Sequence, residues 1–342
     1  MATFGGKEYT REQLLEYVGS MDQIAPIEAK TYIDGKAKGV RTVELDNGSG
    51  LSLEVLVDRC LDLGAVRYCG QSLNWLSAVG VTHPAYYDNT ERRWLRTFGG
   101  GFLATCGLTT AGAAASDEGE ALGMHGRIGN TPGERVSYRG YWKGDDYYLE
   151  CRGIVRETEV FAANLTLERR IAMKLGEPAF WVEDKVTNAG YQTTPLMLLY
   201  HINLGFPLIG PDTRLVTPAQ KILPRDDIAA PGIDTYAEFT PPIPGYQEQV
   251  FYHEMNPSDG PVTVKVINPS LNGWSGMALH YNTAQLPKFT QWKMTAQGEY
   301  VLGLEPANCW VEGRAKERER GTLQFLEPGE SRCYHLKVEI LP

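Results

Sequence analysis

No run of this 342-residue chain is apolar for long enough to span a bilayer, and its first residues, Met1-Ala2-Thr3-Phe4-Gly5-Gly6-Lys7-Glu8, lack the apolar centre of a secretion signal. A protein without membrane contact, working in the cytoplasm, is expected. An excess of positive charge is lacking as well: 33 Lys and Arg face 42 Asp and Glu, for a formal net charge of -9, with the acids scattered throughout and room left for local basic patches only. A nucleic-acid surface needs cations gathered on one face, so no such partner is expected. The six cysteines (Cys60, Cys69, Cys106, Cys151, Cys309, Cys333) form no Cys-x-x-Cys pair, and no His-x-His or His-Glu-x-x-His motif occurs. The thiols are therefore read as reduced and mostly buried, and no metal is expected. Cys106, in the Gly-rich stretch Gly99 to Gly107, is the best nucleophile candidate among them, with no base fixed beside it by sequence. Fixed-period repeats and low-complexity tracts are also lacking.

What is present is a strong β signal behind one short helix. Thr10-Arg11-Glu12-Gln13 is a capping box, Leu14, Leu15 and Val18 form an apolar stripe, and Gly19 is placed to stop the helix, which is expected to lie as a lid on a sheet. Val40 to Val57 reads as a hairpin around Asn47-Gly48-Ser49-Gly50. Further strands are expected at Tyr147 to Val155, Val160 to Met173, Ala179 to Thr187, Leu196 to Asn203, Val262 to Ile267, Lys288 to Met294, Tyr300 to Leu304, Gly321 to Phe325 and Tyr334 to Ile340. Few of these runs are separated by helices of crossover length, which disfavours a parallel sheet and predicts an all-β sandwich of two large antiparallel sheets. Pro207 to Pro261 is rich in Pro, Gly and Asp yet holds Tyr236, Phe239, Tyr246, Phe251 and Tyr252. That aromatic content predicts an ordered excursion with short strands rather than a linker, so residues 1–342 are read as one domain with a lead-in over 1–40.

Three side chains recur in apolar, glycine-bounded settings suited to acid-base work on a sugar. His125 sits between Gly123 and Gly126, where backbone can approach a ligand closely, although a structural hydrogen-bonding role is equally open. His201 follows Leu196-Met197-Leu198-Leu199-Tyr200 and alternates with Asn203, so on a strand the two share a face. They are either satisfied internally or available to sugar hydroxyls. Glu305 ends the apolar run Tyr300 to Leu304 and precedes Pro306, which is expected to end ladder pairing. A carboxylate there is either structurally paired or desolvated into a useful base. Gln291 and Lys293 share a face before it, and Arg59 and Arg127 are cations in apolar company, read either as ion-paired (Arg59 with Asp58, Asp62 or another acid) or as substrate contacts.

The ordered set Met124-His125-Gly126-Arg127, Tyr200-His201-Ile202-Asn203-Leu204 and Gly303-Leu304-Glu305-Pro306 resembles the aldose 1-epimerase (galactose mutarotase-like) superfamily. Asp58-Arg59 near the first hairpin and Cys106-Gly107-Leu108-Thr109 resemble a poorly characterised branch of it, over roughly Thr42 to Pro342. The resemblance implies a β-supersandwich, a ligand in a concave cleft on one sheet, and interconversion of sugar anomers without a cofactor. It also implies Glu305 as the base that takes the anomeric hydroxyl proton, His201 as the acid at the ring oxygen, and His125 as a group steadying that oxygen. Arg127 stands where better-known mutarotases carry a second glycine, Ile202-Asn203-Leu204-Gly205 replaces an aromatic-rich strand, and Asp212, Asp226 and Asp234 lie in the interval of their substrate-binding aspartate.

The leading expectation is an isomerase of this type acting on a free monosaccharide, with Arg59, Arg127, Asn203, Gln291 and Lys293 as binding residues and Glu305, His201 and His125 as the catalytic set. The three cations among the binding residues suit a carboxylated, sulfonated or phosphorylated sugar. A catalytically silent carbohydrate-binding protein of the same fold is the alternative. A hydrolase ranks third, because only one carboxylate is well placed by sequence. A small sugar is the expected partner, and a homodimer is admitted without being required.

Overall fold

The computed structural model describes residues 1–256 and 261–342. After a small opening hairpin, the chain forms a helix at Arg11–Leu15, where Thr10 Oγ1 accepts from the Gln13 amide at 3.2 Å and Gln13 Oε1 accepts from the Thr10 amide at 2.9 Å. The capping box is thus present, but the helix is shorter than Gly19 suggested. Leu14 and Val18 are buried, whereas Leu15 is exposed. No helix among the described residues is long and apolar enough to cross a membrane.

Three antiparallel sheets follow. The first has five strands, Ile27–Thr31, Arg41–Asp46, Leu51–Leu56, Asp62–Tyr68 and Gln71–Ser72, in that order. Its central hairpin pairs Thr42 with Leu56 and Asp46 with Ser52, around a turn in which Gly48 and Gly50 take φ of +69° and +90°. The second has eight strands in the spatial order Glu134–Lys143, Asp146–Thr158, Asn164–Lys174, Ala179–Asn188, Ser331–Leu341, Gly276–Asn282, Pro261–Ile267 and Arg214–Val216. The third runs Lys221–Pro224, Gln249–Glu254, Lys288–Ala296, Glu299–Ala307, Thr194–Gly205 and Gln324–Leu326, with Leu103–Leu108 also paired to Thr194–Gly205. The architecture is all-β and built of large antiparallel sheets, as expected. Glu134–Lys143 escaped the sequence reading because it is mostly exposed and polar, without the apolar alternation that marks a half-buried strand.

One core joins the sheets. Leu53, Val55 and Leu63 from the first meet Leu149, Val155, Leu167 and Ile171 from the second and Leu198, Tyr200, Ile202, Leu204, Leu302 and Leu304 from the third. Leu196, Leu198, Tyr200, Ile202 and Leu204 of Thr194–Gly205 belong to this core, while Met197 and Leu199 belong to a second cluster with Trp94, Phe98, Cys106 and Ala307. Burial on both faces explains the unbroken apolar run before His201.

A buried ionic knot pins the three sheets together. The fully buried Arg169 donates to Asp62 at 2.7 Å and to Asp184 at 2.7 Å, and the Tyr200 hydroxyl donates to Asp184 at 2.7 Å. Asp62 also accepts from the Thr105 hydroxyl at 2.6 Å. Charges this deep persist only when paired and hydrogen-bonded on all sides. Because Tyr200 is held into the knot, alternation turns His201 to the opposite face.

The excursion after Pro207 is ordered where described and contributes Arg214–Val216, Lys221–Pro224, a 3-10 turn over Ala230–Thr235 and Gln249–Glu254. Pro306 does not end its strand, which runs on to Ala307 and pairs Pro306 with Phe289. Instead the ladder with Thr194–Gly205 lapses locally, pairing Leu199 with Ala307 and resuming at Ile202 with Leu304. Proline offers no N–H, so pairing fails at its position and the strand itself continues.

Candidate active site

That lapse lies where the chemistry gathers. The register on either side of it sets His201 across from Glu305, and His201 Nε2 stands 3.3 Å from Glu305 Oε1. His125 joins them from a tight turn. Its own φ is +57°, its amide donates to Gly112 O at 2.8 Å, and its carbonyl accepts from the Gly107 amide at 3.1 Å. The next residue must be glycine: φ is +70°, and a Cβ on Gly126 would lie 2.3 Å from Gly107 O and 2.4 Å from Thr110 O. The His125 and His201 rings approach to 5.7 Å between centroids at 81°.

Aromatic side chains wall this cleft. Trp94 lies 4.6 Å from the His125 ring, and Phe98 and Trp292 each lie 5.4 Å from the His201 ring. Arg92, Arg225 and Glu248 add charge to the lining. The Trp292 indole N–H donates to Glu248 at 2.8 Å, and Arg225 bonds Asp226 at 2.8 Å and approaches Glu248 at 3.6 Å. The cavity volume is about 140 Å³. That is small beside the roughly 300–1,000 Å³ of pockets for drug-sized ligands, and it suits one small ring better than an oligosaccharide.

Burial dominates the electrostatics. Glu305 is 2% exposed, and desolvation pushes its carboxyl up to about 8, helped by the negative charge of Glu248 and opposed by Arg225. Desolvation pushes His201 down to about 4. His125, partly exposed as a residue but with Nδ1 buried, is held below its usual range by desolvation and by His201 beside it. Neither histidine has a protein partner at Nδ1. At neutral pH the His201–Glu305 pair therefore holds one proton, which burial places on the carboxyl.

The other expected residues lie elsewhere. Gln291 and Lys293 share a face, as alternation required, but it is the face turned from the cleft; Trp292 between them points inward. Gln291 donates to Tyr236 O at 2.7 Å and pairs with His253 at 3.0 Å, and Lys293 donates to Thr235 O at 2.9 Å, so both anchor the excursion. Asn203 shares the His201 face but is covered by the glycine loop, donating to Gly101 O at 3.1 Å. Arg127 turns outward into a 3-10 turn, 3.7 Å from Glu159. Arg59 pairs with neither Asp58 nor Asp62 and lines a separate cavity of about 680 Å³, larger than the cleft but without its acid-base pair. Cys106 is fully buried in the second core cluster, where desolvation holds its thiol far above the usual range, so it is no nucleophile. Asp212 accepts from Ser270, Asp226 pairs with Arg225, and neither they nor Asp234 line the cleft. Among the described residues no group of three or more His, Cys, Asp or Glu side chains is placed to hold a metal.

The sheets that carry this cleft form the galactose mutarotase-like fold, as comparison with known proteins shows. Residues 37–340 match the family described as Domain of unknown function (DUF4432), and the chain belongs to it. The fold is similar to that of a provisional aldose 1-epimerase from Klebsiella pneumoniae subsp. pneumoniae, with 26% identity, a TM-score of 0.86, and coverage of 92% of this chain and 83% of that one. A galactose mutarotase-like protein from Clostridium acetobutylicum (13% identity, TM-score 0.61, 93% and 99% coverage) and a galactose 1-epimerase from Lactobacillus acidophilus (14%, 0.58, 92% and 98%) share the fold. No curated protein matches the sequence significantly.

Proposed function

We propose that this protein is a mutarotase-type isomerase that interconverts the anomers of a free monosaccharide. The 3.3 Å juxtaposition of His201 and Glu305 in a small, buried cleft carries this reading. A hemiacetal ring opens when one proton leaves the anomeric hydroxyl as another reaches the ring oxygen. Both oxygens are bonded to the same carbon, so two neighbouring groups holding one proton between them can serve both. With Glu305 as base and His201 as acid, the roles the family resemblance implies, the proton starts on the imidazole. Burial alone favours it on the carboxyl, and mutual attraction at this separation together with hydrogen bonds from a bound sugar favours the ion pair. After rotation of the open aldehyde the transfers reverse on closure. His125, whose ring lies beside that of His201, steadies the ring oxygen in this reading, and Trp94, Phe98 and Trp292 exclude water.

Exchange NMR or polarimetry over a panel of neutral and acidic sugars tests this. At least one sugar is expected to equilibrate faster than in buffer, with the effect lost in Glu305→Gln. Calorimetric sugar binding with no acceleration would instead select a silent binding protein.

A further inference from the structure

We propose that the cavity beside Arg59 is a second binding site, taking a small organic anion with an apolar body. The cavity of about 680 Å³ lies between the five-stranded sheet and the segments around Trp75 to Thr82 and Gly99 to Gly101. It shares no lining residue with the His201–Glu305 cleft. Its walls are preformed: a Cβ on Gly99 would lie 2.2 Å from Gly80 O, and one on Gly100 2.7 Å from Trp75 O, so the two segments meet through bare backbone.

Arg59 is a buried cation left without a counter-ion among the described residues. It is 9% exposed, and its guanidinium makes one hydrogen bond, Nη1 donating to Thr82 O at 2.9 Å, although the group carries five donors. The acids nearest in sequence are committed elsewhere, Asp58 to Arg41 at 2.5 Å and Asp62 to Arg169 at 2.7 Å. Among the described residues Arg59 forms no ion pair. A buried cation without a counter-ion is strongly disfavoured, and desolvation draws Arg59 down to about 10 with Asp62 opposing from a distance. An external carboxylate or phosphate would supply the missing acceptors in the forked geometry that guanidinium prefers.

The other charges in the cavity do not cancel Arg59. Arg67 adds a second cation, and Glu54 is the single carboxylate in the lining. Glu54 already accepts from the Tyr32 hydroxyl at 2.7 Å and the Ala65 amide at 3.2 Å. Apolar surface faces the same space: Leu76 is 59% exposed and Phe206 75% exposed, with Trp75 beside them. An apolar lining with a few charged groups among it is the usual make-up of a small-molecule site. Trp75 also touches Trp292 and Phe98, at 5.8 and 5.7 Å between ring centroids, which gives the site an optical reporter.

Calorimetry and tryptophan fluorescence on the full chain would test the site, with benzoate, phenyl phosphate, inorganic phosphate and benzyl alcohol as probes. Benzoate, phenyl phosphate or both are expected to bind saturably to the wild type and to Glu305→Gln alike, which separates this site from the proposed isomerase cleft. Taking only one of the two supports the proposal and identifies the acid group preferred. Binding is expected to weaken by about tenfold or more in Arg59→Met and less in Arg59→Lys, as loss of a charge-assisted fork predicts. The proposal is overturned by absence of saturable binding of both aromatic anions to the wild type, or by undiminished binding in folded Arg59→Met. Inorganic phosphate or benzyl alcohol binding as tightly as phenyl phosphate would overturn it too. Should Arg59→Met fail to fold, the wild-type titrations and Arg59→Lys still decide.

Discussion

Replacing Glu305 with glutamine should stabilise the fold, and by an amount that depends on pH in one direction only. The native carboxyl is raised from 4.5 to about 8 by complete burial, so the folded protein holds this proton more tightly than the unfolded chain. The stability it lends is complete below pH 4.5 and is lost as pH rises through 8. Integrated over the shift, wild type has lost about 1 kcal/mol at pH 5 and about 3 kcal/mol at pH 7, so the gap to Glu305→Gln should widen by about 2–3 kcal/mol across that interval. Glutamine mimics the neutral carboxyl and has no proton to lose. His201 titrates with the opposite sign, adding stability above its unfolded value and losing it as pH falls toward about 4, but it is common to both proteins and largely cancels in the difference. Urea denaturation of both proteins at pH 5, 6, 7 and 8 measures the gap. A constant gap, or one that narrows as pH rises, would refute the claim that Glu305 is held protonated by desolvation. The same substitution should slow catalysis by orders of magnitude, the trade between stability and activity expected of a buried acid-base group.

Anomer exchange should follow a bell with limbs near pH 4 and pH 8, where the pair gains a second proton or loses its only one; an NMR-measured rate that is flat from pH 3 to pH 10 would exclude the shared proton. His201→Asn and Glu305→Gln should each slow exchange by about 10²–10⁴-fold, and the double variant by little more than either, because the two act as a unit; multiplicative losses would contradict this. Gly126→Ala, which forces a Cβ against two carbonyls at positive φ, should cost about 2 kcal/mol or more in urea midpoint analysis, and a neutral result would show that the His125 turn can relax. Arg169→Met leaves Asp62 and Asp184 buried without their cation and should cost about 3–5 kcal/mol; a loss under about 1 kcal/mol would mean the knot is not the pin described.

The strands most legible in the sequence were those buried on one face or both, where apolar residues carry the period or form an unbroken run. Asp146–Thr158, Ala179–Asn188 and Thr194–Gly205 all fall within a few residues of expectation. His125, His201 and Glu305 stood out because polar groups in apolar, glycine-bounded settings need a reason. The other residues that line the cleft were harder to see. Alternation shows that Gln291 and Lys293 share a face but not which face meets the cleft, and Trp292 was hidden between them. Arg225 and Glu248 come from a segment with no period at all, and only the folded chain brings them to Trp292. Arg59 looked ready to pair with the acids around it in sequence, yet Asp58 and Asp62 are drawn away by Arg41 and Arg169, the second from a distant strand.

Gln291 and Lys293 moor the excursion from behind while Trp292, on the same strand, faces the reacting pair. One short β segment thus serves two masters, fastening the rim on one face and lining the cleft on the other. The rim that presents Arg225 and Glu248 is fastened from the side away from the His201–Glu305 pair, so a change in its outer contacts need not move the pair beneath.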